Sequence, residues 1–158
     1  MNREIERKFL VSDDTWRSGV AETVRLRQGY LPGAPGCGVR VRLAGAEATL
    51  CIKGRRINTA CDEFEYAIPP DDARRMLDLF CGDAVIEKTR HIVPVGDDRW
   101  EVDVFHGRHR GLVLAELELD AVGQPIEPPP WIGREVTGCR EYTNAYLATH
   151  PFVPPASG

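Results

Sequence analysis

The sequence predicts a mainly β fold: about eight short antiparallel strands, closed as a barrel or folded as a sandwich, with a few peripheral helices. Three observations predict it. Segments that alternate apolar and polar residues recur along the chain, punctuated by Gly, Pro and Asp. Helical patterns are few and short. The 158 residues, 42% hydrophobic and 28% charged, suit one soluble domain with its own core.

The expected strands cover 2–11, 23–31, 37–44, 47–53, 62–68, 84–93, 99–105 and 112–120. Between the first two, Ser12-Asp13-Asp14 is placed to cap a short helix through Trp16. Pro70-Asp71-Asp72 opens a better helix over 71–80, with Asp71 at the N-cap and Met76, Leu77 and Phe80 as its apolar stripe. The segment EYTNAYLAT, 141–149, reads as a last helix before Pro151. Loops fall at 31–36, 54–60 and 123–130. Residues 1–150 thus form a single expected domain, and 151–158 a flexible tail. Eight antiparallel strands can close around side chains or one small ligand.

Composition excludes several classes of function. A net charge of −4 is too balanced for a nucleic-acid coat or an anionic membrane surface. There is no 18-residue apolar run and no apolar signal segment at the N-terminus. The five cysteines lack C-x-x-C spacing and suit free thiols, so a cytoplasmic protein is expected. A small-molecule ligand is the expected partner, with no nucleic acid and no membrane, and a homodimer stays open. Of the 20 Lys and Arg residues only Lys8, Lys53 and Lys88 are lysines, so 17 are arginines. A position that keeps Lys in such a chain draws notice, because ammonium and guanidinium are not equivalent.

The polar faces of the strands carry the functional signal. Glu4, Glu6 and Lys8 form one row, with Ile5 and Phe9 opposite. Arg40 pairs with Arg42, Glu63 with Glu65, Lys88 with Arg90, Glu101 with Asp103, and Glu116 with Glu118, while Lys53 aligns with Cys51. A single polar face is ordinary where a sheet meets water. Here, however, same-sign pairs recur at i, i+2 and the signs segregate by strand, which is repulsive unless opposite charge lies between them. A barrel of inverted polarity, apolar outside beneath the helices 71–80 and 141–149 and charged inside, resolves the repulsion. Its cationic rows would converge on a polyanion and its acidic rows on a divalent metal, since Mg²⁺ and Mn²⁺ prefer carboxylate oxygens. No phosphate-binding G-x-x-x-x-G-K-[ST] loop is present. Arg25 and Arg27 also pair, leaving Leu26, Gln28 and Tyr30 opposite.

The row Glu4-Glu6-Lys8 resembles the E-x-E-x-K signature of the CYTH domain, the triphosphate tunnel metalloenzymes. The likeness extends in order through RQGYL at 27–31, VRVR at 39–42, IKG at 52–54, EFEY at 63–66, EKTR at 87–90, EVDVF at 101–105, LAELEL at 114–119 and WIGREVTG at 131–138. The resemblance implies an eight-stranded antiparallel barrel around a charged tunnel, and metal-dependent hydrolysis of a triphosphate, above all inorganic tripolyphosphate. It implies Mg²⁺ or Mn²⁺ held by Glu4, Glu6, Glu116 and Glu118, with Asp103 and Glu101 nearby. Lys8, Arg40, Arg42, Lys53, Lys88 and Arg90 would bind the phosphates. Glu63 and Glu65 would orient basic residues or a second metal. Tyr30, with Lys8, would lie near the scissile phosphate, and Lys8 or Lys88 would assist the leaving oxygen. Tyr30 shares a face with Leu26, so a bulge at Gly29 is expected to re-aim it. The sequence departs from the family pattern at Cys61, where Arg is common, and at 139–144, where Asp and Arg are missing from Asp-x-Arg-Tyr-x-Asn. Thiamine triphosphate hydrolysis, class IV adenylyl cyclase activity and non-catalytic polyphosphate or nucleotide binding are the alternatives.

Overall fold

Among the described residues, 5–54 and 62–154, the computed structural model contains nine antiparallel strands in one sheet. They are β1 (Ile5–Val11), β2 (Glu22–Leu31), β3 (Gly38–Ala44), β4 (Glu47–Lys53), β5 (Glu63–Ala67), β6 (Val85–Val95), β7 (Asp98–Phe105), β8 (Val113–Leu119) and β9 (Ile132–Glu135). All eight expected strands are present, and β9 is an addition. The spatial order is β5-β4-β3-β2-β6-β7-β8-β1-β9. Side chains of β3, β4 and β5 line the same cavity as those of β7, β8 and β1, so the sheet curves around that cavity. Among the described residues it is not closed by pairing between its ends, in contrast to the expected closed barrel. The last strand, β9, is four residues long and follows β1 through a register shift between Phe9 and Val11.

Register decides which side chains face inward, because residues directly opposite in an antiparallel pair share a face. Glu6 lies opposite Glu118 and Lys8 opposite Glu116. Glu116 is also opposite Glu101, and Asp103 opposite Arg90. Across the sheet Arg42 faces Gln28 and Arg40 faces Tyr30. The charged rows therefore share the concave face. The convex face of β1, β7 and β8 buries Phe9, Trp100, Val102 and Leu117 beneath Trp16 and Trp131. Each of those large side chains contributes roughly 1.5–3 kcal/mol by leaving water. Trp16 sits in a 3₁₀ turn, Thr15–Gly19, entered through Asp13, whose carboxylate accepts from the Thr15 amide at 2.8 Å.

Helix α1 (Pro70–Met76) and a π-helical turn (Leu77–Cys81) cover the convex side, where Ala73, Leu77 and Cys81 pack with Val41 and Ala48. The helix begins one residue earlier than the sequence suggests. Pro70 is its first residue, and Asp71 lies in the first turn instead of at the cap. Both choices are physically sound, since Pro needs no amide partner there and acids favour the N-terminal end of the dipole.

Helix α2 (Asn144–Thr149) corrects the expected arrangement. It does not cover the outside. Leu147 and Ala148 pack against Ile86, Phe105 and Leu114, which face the concavity. The inner rows turn apolar at this end, through Leu10, Leu114, Phe105 and Ile86, and α2 covers them. Gly29 corrects a second expectation. Pairing of β2 with both neighbours is regular from Leu26 to Gly29, so no bulge forms. Glycine is needed there because a Cβ would lie 2.7 Å from Cys81 Sγ. Among the described residues, no helix is long and apolar enough to cross a membrane.

Candidate active site

The concavity holds a cavity of about 1020 Å³ whose walls differ in sign. Lys53 on β4, Arg40 and Arg42 on β3 and Arg90 on β6 form the basic side. Glu101 on β7, Glu116 and Glu118 on β8 and Glu6 on β1 form the acidic side, with Lys8 among them. Tyr30, Glu63 and Glu65 also line it. Glu4 and Cys61 lie outside the described residues. Tyr30 faces inward without any bulge, because on β2 the arginines 25 and 27 take the outer face. There they pair with Glu87 and Asp78.

Lys88 and Asp103 do not line the cavity. Both are buried beneath its floor, with Lys88 Nζ donating to Asp103 Oδ2 at 2.7 Å. Arg90 donates to the same carboxylate from Nε at 2.8 Å and from Nη2 at 2.9 Å. Burial alone would raise the Asp103 carboxyl, but Lys88 and Arg90 outweigh it and hold it far below the usual carboxylate range. Burial draws the Lys88 ammonium down from its ordinary value, with Asp103 opposing. Asp103 thus accepts three hydrogen bonds from cations, and neither it nor Lys88 lines the cavity in which the expected contacts with metal and phosphate would be made. Asp103 instead fixes Arg90, whose Nη1 reaches Glu101 at 2.8 Å.

The remaining cations are also held by named partners. Arg42 donates from Nε to Gln28 Oε1 at 2.9 Å. Arg40 lies 3.7 Å from Glu65, and Lys53 lies 3.3 Å from Glu63. Lys8 Nζ donates to the Tyr142 carbonyl at 3.0 Å and lies 3.4 Å from Glu116. Burial pushes the Tyr30 hydroxyl up from its usual value, against the pull of Arg40, Arg42 and Lys53, so it keeps its proton at neutral pH. Burial likewise raises the Glu101 carboxyl, against Arg90.

Two carboxylate groupings could meet a cation. Glu6 stands directly opposite Glu118, and Glu101 opposite Glu116, two carboxylate pairs side by side on three adjacent strands that offer hard oxygen donors. Like charges so placed repel, and a divalent ion between them removes the repulsion. The donor set fits Mg²⁺ or Mn²⁺. The second grouping is Cys51, Glu63 and Glu65, whose ligand atoms lie within 4.8 Å of one another. Burial and Glu63 push the Cys51 thiol up to about 11, so it is a protonated donor to Glu63 and not a thiolate ligand.

Sequence reasoning missed several lining or supporting groups. Asp97, Asp120 and Gln124 come from the loops that follow β6 and β8, Asp98 from the first position of β7, and Thr143 and Asn144 from the start of α2. Gln28 gave a usable signal, as an uncharged polar residue between Leu26 and Tyr30 on an inward face.

A family model described as the CYTH domain matches residues 2–150. An inorganic triphosphatase of Acetivibrio thermocellus is 41% identical over 152 residues, spanning 96% of this chain and 97% of that protein. An inorganic triphosphatase of Nitrosomonas europaea is 35% identical over 157 residues, spanning 92% of this chain and 96% of that protein. Among solved structures, that of an inorganic triphosphatase superposes with a TM-score of 0.73 at 34% identity, covering 94% of this chain and 95% of that chain. A Pyrococcus horikoshii protein shares the fold at 16% identity, with a TM-score of 0.56 over 75% of this chain and 79% of that chain.

Proposed function

The chain belongs to the CYTH domain family, and on that premise we propose that it hydrolyses inorganic tripolyphosphate to diphosphate and phosphate. The observation that carries the reading is the two-signed cavity. Four cations on its basic side suit a chain of phosphates, and the Nε of Arg40 is a buried donor with no acceptor among the described residues.

In the reaction a water oxygen bonds to a terminal phosphorus, the bridging P–O bond breaks, and the diphosphate oxygen leaves with the electron pair. Arg40, Arg42, Lys53 and Arg90 hold the phosphates and offset the charge that grows on the leaving group. Lys8, steadied by the Tyr142 carbonyl, and the protonated Tyr30 hydroxyl stand as donors for the departing oxygen. Glu63 and Glu65 orient Lys53 and Arg40. Glu6, Glu116 and Glu118, with Glu4 outside the described residues and Glu101 beside them, would hold Mg²⁺ or Mn²⁺. Such an ion supplies Lewis-acid polarisation of a phosphoryl oxygen. Lys88 and Asp103 support the floor. Free thiols at Cys37, Cys51, Cys81 and Cys139 suit a reducing compartment, and the cytoplasm is the proposed location.

The test is phosphate release from tripolyphosphate, thiamine triphosphate and ATP, each with Mg²⁺ and with Mn²⁺. Turnover of tripolyphosphate above the other two is expected. Cyclic nucleotide formed from ATP would replace the reading with a cyclase, and tight tripolyphosphate binding without turnover would replace it with a sensor.

A further inference from the structure

Asn144 lines the cavity at the start of α2, and its Oδ1 accepts from the buried Lys88 Nζ at 3.5 Å. An ammonium is a donor only, and an asparagine amide offers one acceptor and two donors. The amide must therefore turn its oxygen to Lys88 and its NH₂ away from it. Among the described residues, Asn144 Nδ2 has no hydrogen-bond acceptor. Two residues upstream, the Tyr142 carbonyl accepts from Lys8 Nζ at 3.0 Å, so the segment 142–144 is pinned by two lysines from different strands. Thr143 fixes the following turn by accepting from the Tyr146 amide at 3.2 Å.

We propose that Asn144 is a substrate-contacting residue whose NH₂, oriented by Lys88, donates to an oxygen of the bound phosphate chain. Lys88 has no exposed surface and does not line the cavity, so its influence reaches the ligand through this amide. A neutral donor can meet a phosphate oxygen without adding charge to an already cationic wall. The inference rests on the tripolyphosphate reading above.

The experiment compares wild type, Asn144→Ala and Asn144→Asp for tripolyphosphate hydrolysis, for tripolyphosphate affinity by calorimetry in EDTA, and for Tm. Asn144→Asp keeps an acceptor for Lys88, and so keeps the anchor of α2, while it removes the donor and adds a negative charge. The expected result is KM and Kd about tenfold higher in Asn144→Ala, and higher again in Asn144→Asp, with Tm close to wild type in Asn144→Asp. Asn144→Asp binding as tightly as wild type overturns the proposal, and so does an affinity loss that merely tracks a falling Tm. If wild type hydrolyses tripolyphosphate and both variants match it, only this proposal fails. If wild type neither binds nor hydrolyses tripolyphosphate, the functional reading falls and the proposal with it.

Discussion

Lys88 and Asp103 form an ion pair of 2.7 Å beneath the cavity floor, in which neither side chain is more than 1% exposed. The second oxygen of the same carboxylate holds Arg90 at 2.8 Å. One buried anion thus fixes two cations of the neighbouring strand, and only one of them, Arg90, reaches the cavity.

Replacing Asp103 by Asn leaves the buried Lys88 without its counter-charge and leaves Arg90 with Glu101 as its close partner. A loss of about 3–5 kcal/mol is expected in urea unfolding. The acid behaviour follows from the same pair. The folded-state pKa of Asp103 lies below its unfolded value, so its stabilisation is complete above that unfolded value, near 3.9, and fades as pH falls below it. Wild-type Tm should drop below about pH 4 more steeply than that of Asp103→Asn. Equal slopes in the two proteins would contradict the pairing.

Glu6 and Glu118 stand opposite each other on β1 and β8. Without divalent ions, Glu118→Gln should be neutral or stabilising by about 0.2–1 kcal/mol, because a like-charge pair is relieved. With Mg²⁺ the order reverses. Saturation at a hundred times Kd stabilises wild type by about 2.7 kcal/mol, and Glu118→Gln should lose most of that gain in a thermal melt. EDTA should stop phosphate release. A full Mg²⁺ shift in the variant would move the metal away from these carboxylates.

Gln28 accepts from Arg42 Nε at 2.9 Å, yet its own Nε2 has no partner among the described residues. Gln28→Met removes the anchor and the unpartnered donor together, so stability should change by less than about 1 kcal/mol. The KM for tripolyphosphate should rise about three- to tenfold with kcat little changed, because an unanchored guanidinium binds less well. An unchanged KM would mean that Arg42 needs no support.

A Cβ at position 29 would meet Cys81 Sγ at 2.7 Å, Cys81 Cβ at 2.9 Å and Leu77 Cδ2 at 3.0 Å. Gly29→Ala should destabilise by about 1–3 kcal/mol through overpacking beneath the π-helical turn. Cys81→Ala in the same chain should restore part of the loss, a coupling of about 0.5 kcal/mol or more that a double-mutant cycle reads. Additive effects would show that the two elements do not press on each other.

The charged rows illustrate how much the sequence carries. Glu6 and Lys8, Arg40 and Arg42, and Glu116 and Glu118 were legible as inward-facing because a strand alternates its faces every residue, whatever its neighbours are. The face of Tyr30 was misread, and a bulge invoked to turn it inward, for the same reason seen from the other side. Arg25 and Arg27 resemble the other cationic pairs, and only their partners, Glu87 and Asp78, reveal that this row is the outer one. Helix α2 was found in sequence but assigned to the outside, since an apolar stripe of Leu147 and Ala148 does not say which apolar surface it will meet.

Periodicity by itself determined the strands and which residues share a face, and the ordered motifs carried the family resemblance, because those properties are local in the chain. Tertiary structure decided which rows became neighbours. The strand order sets β7, β8 and β1 side by side as an acidic wall, leaves the neutral inner row of β2 between the cations of β3 and β6, and carries Asp103 between Lys88 and Arg90. A lysine that the resemblance assigns to phosphate is thereby paired with a carboxylate under the floor. Such pairings join residues distant along the chain, and the free energy of an ion pair depends on distance and burial, which no spacing in a sequence encodes.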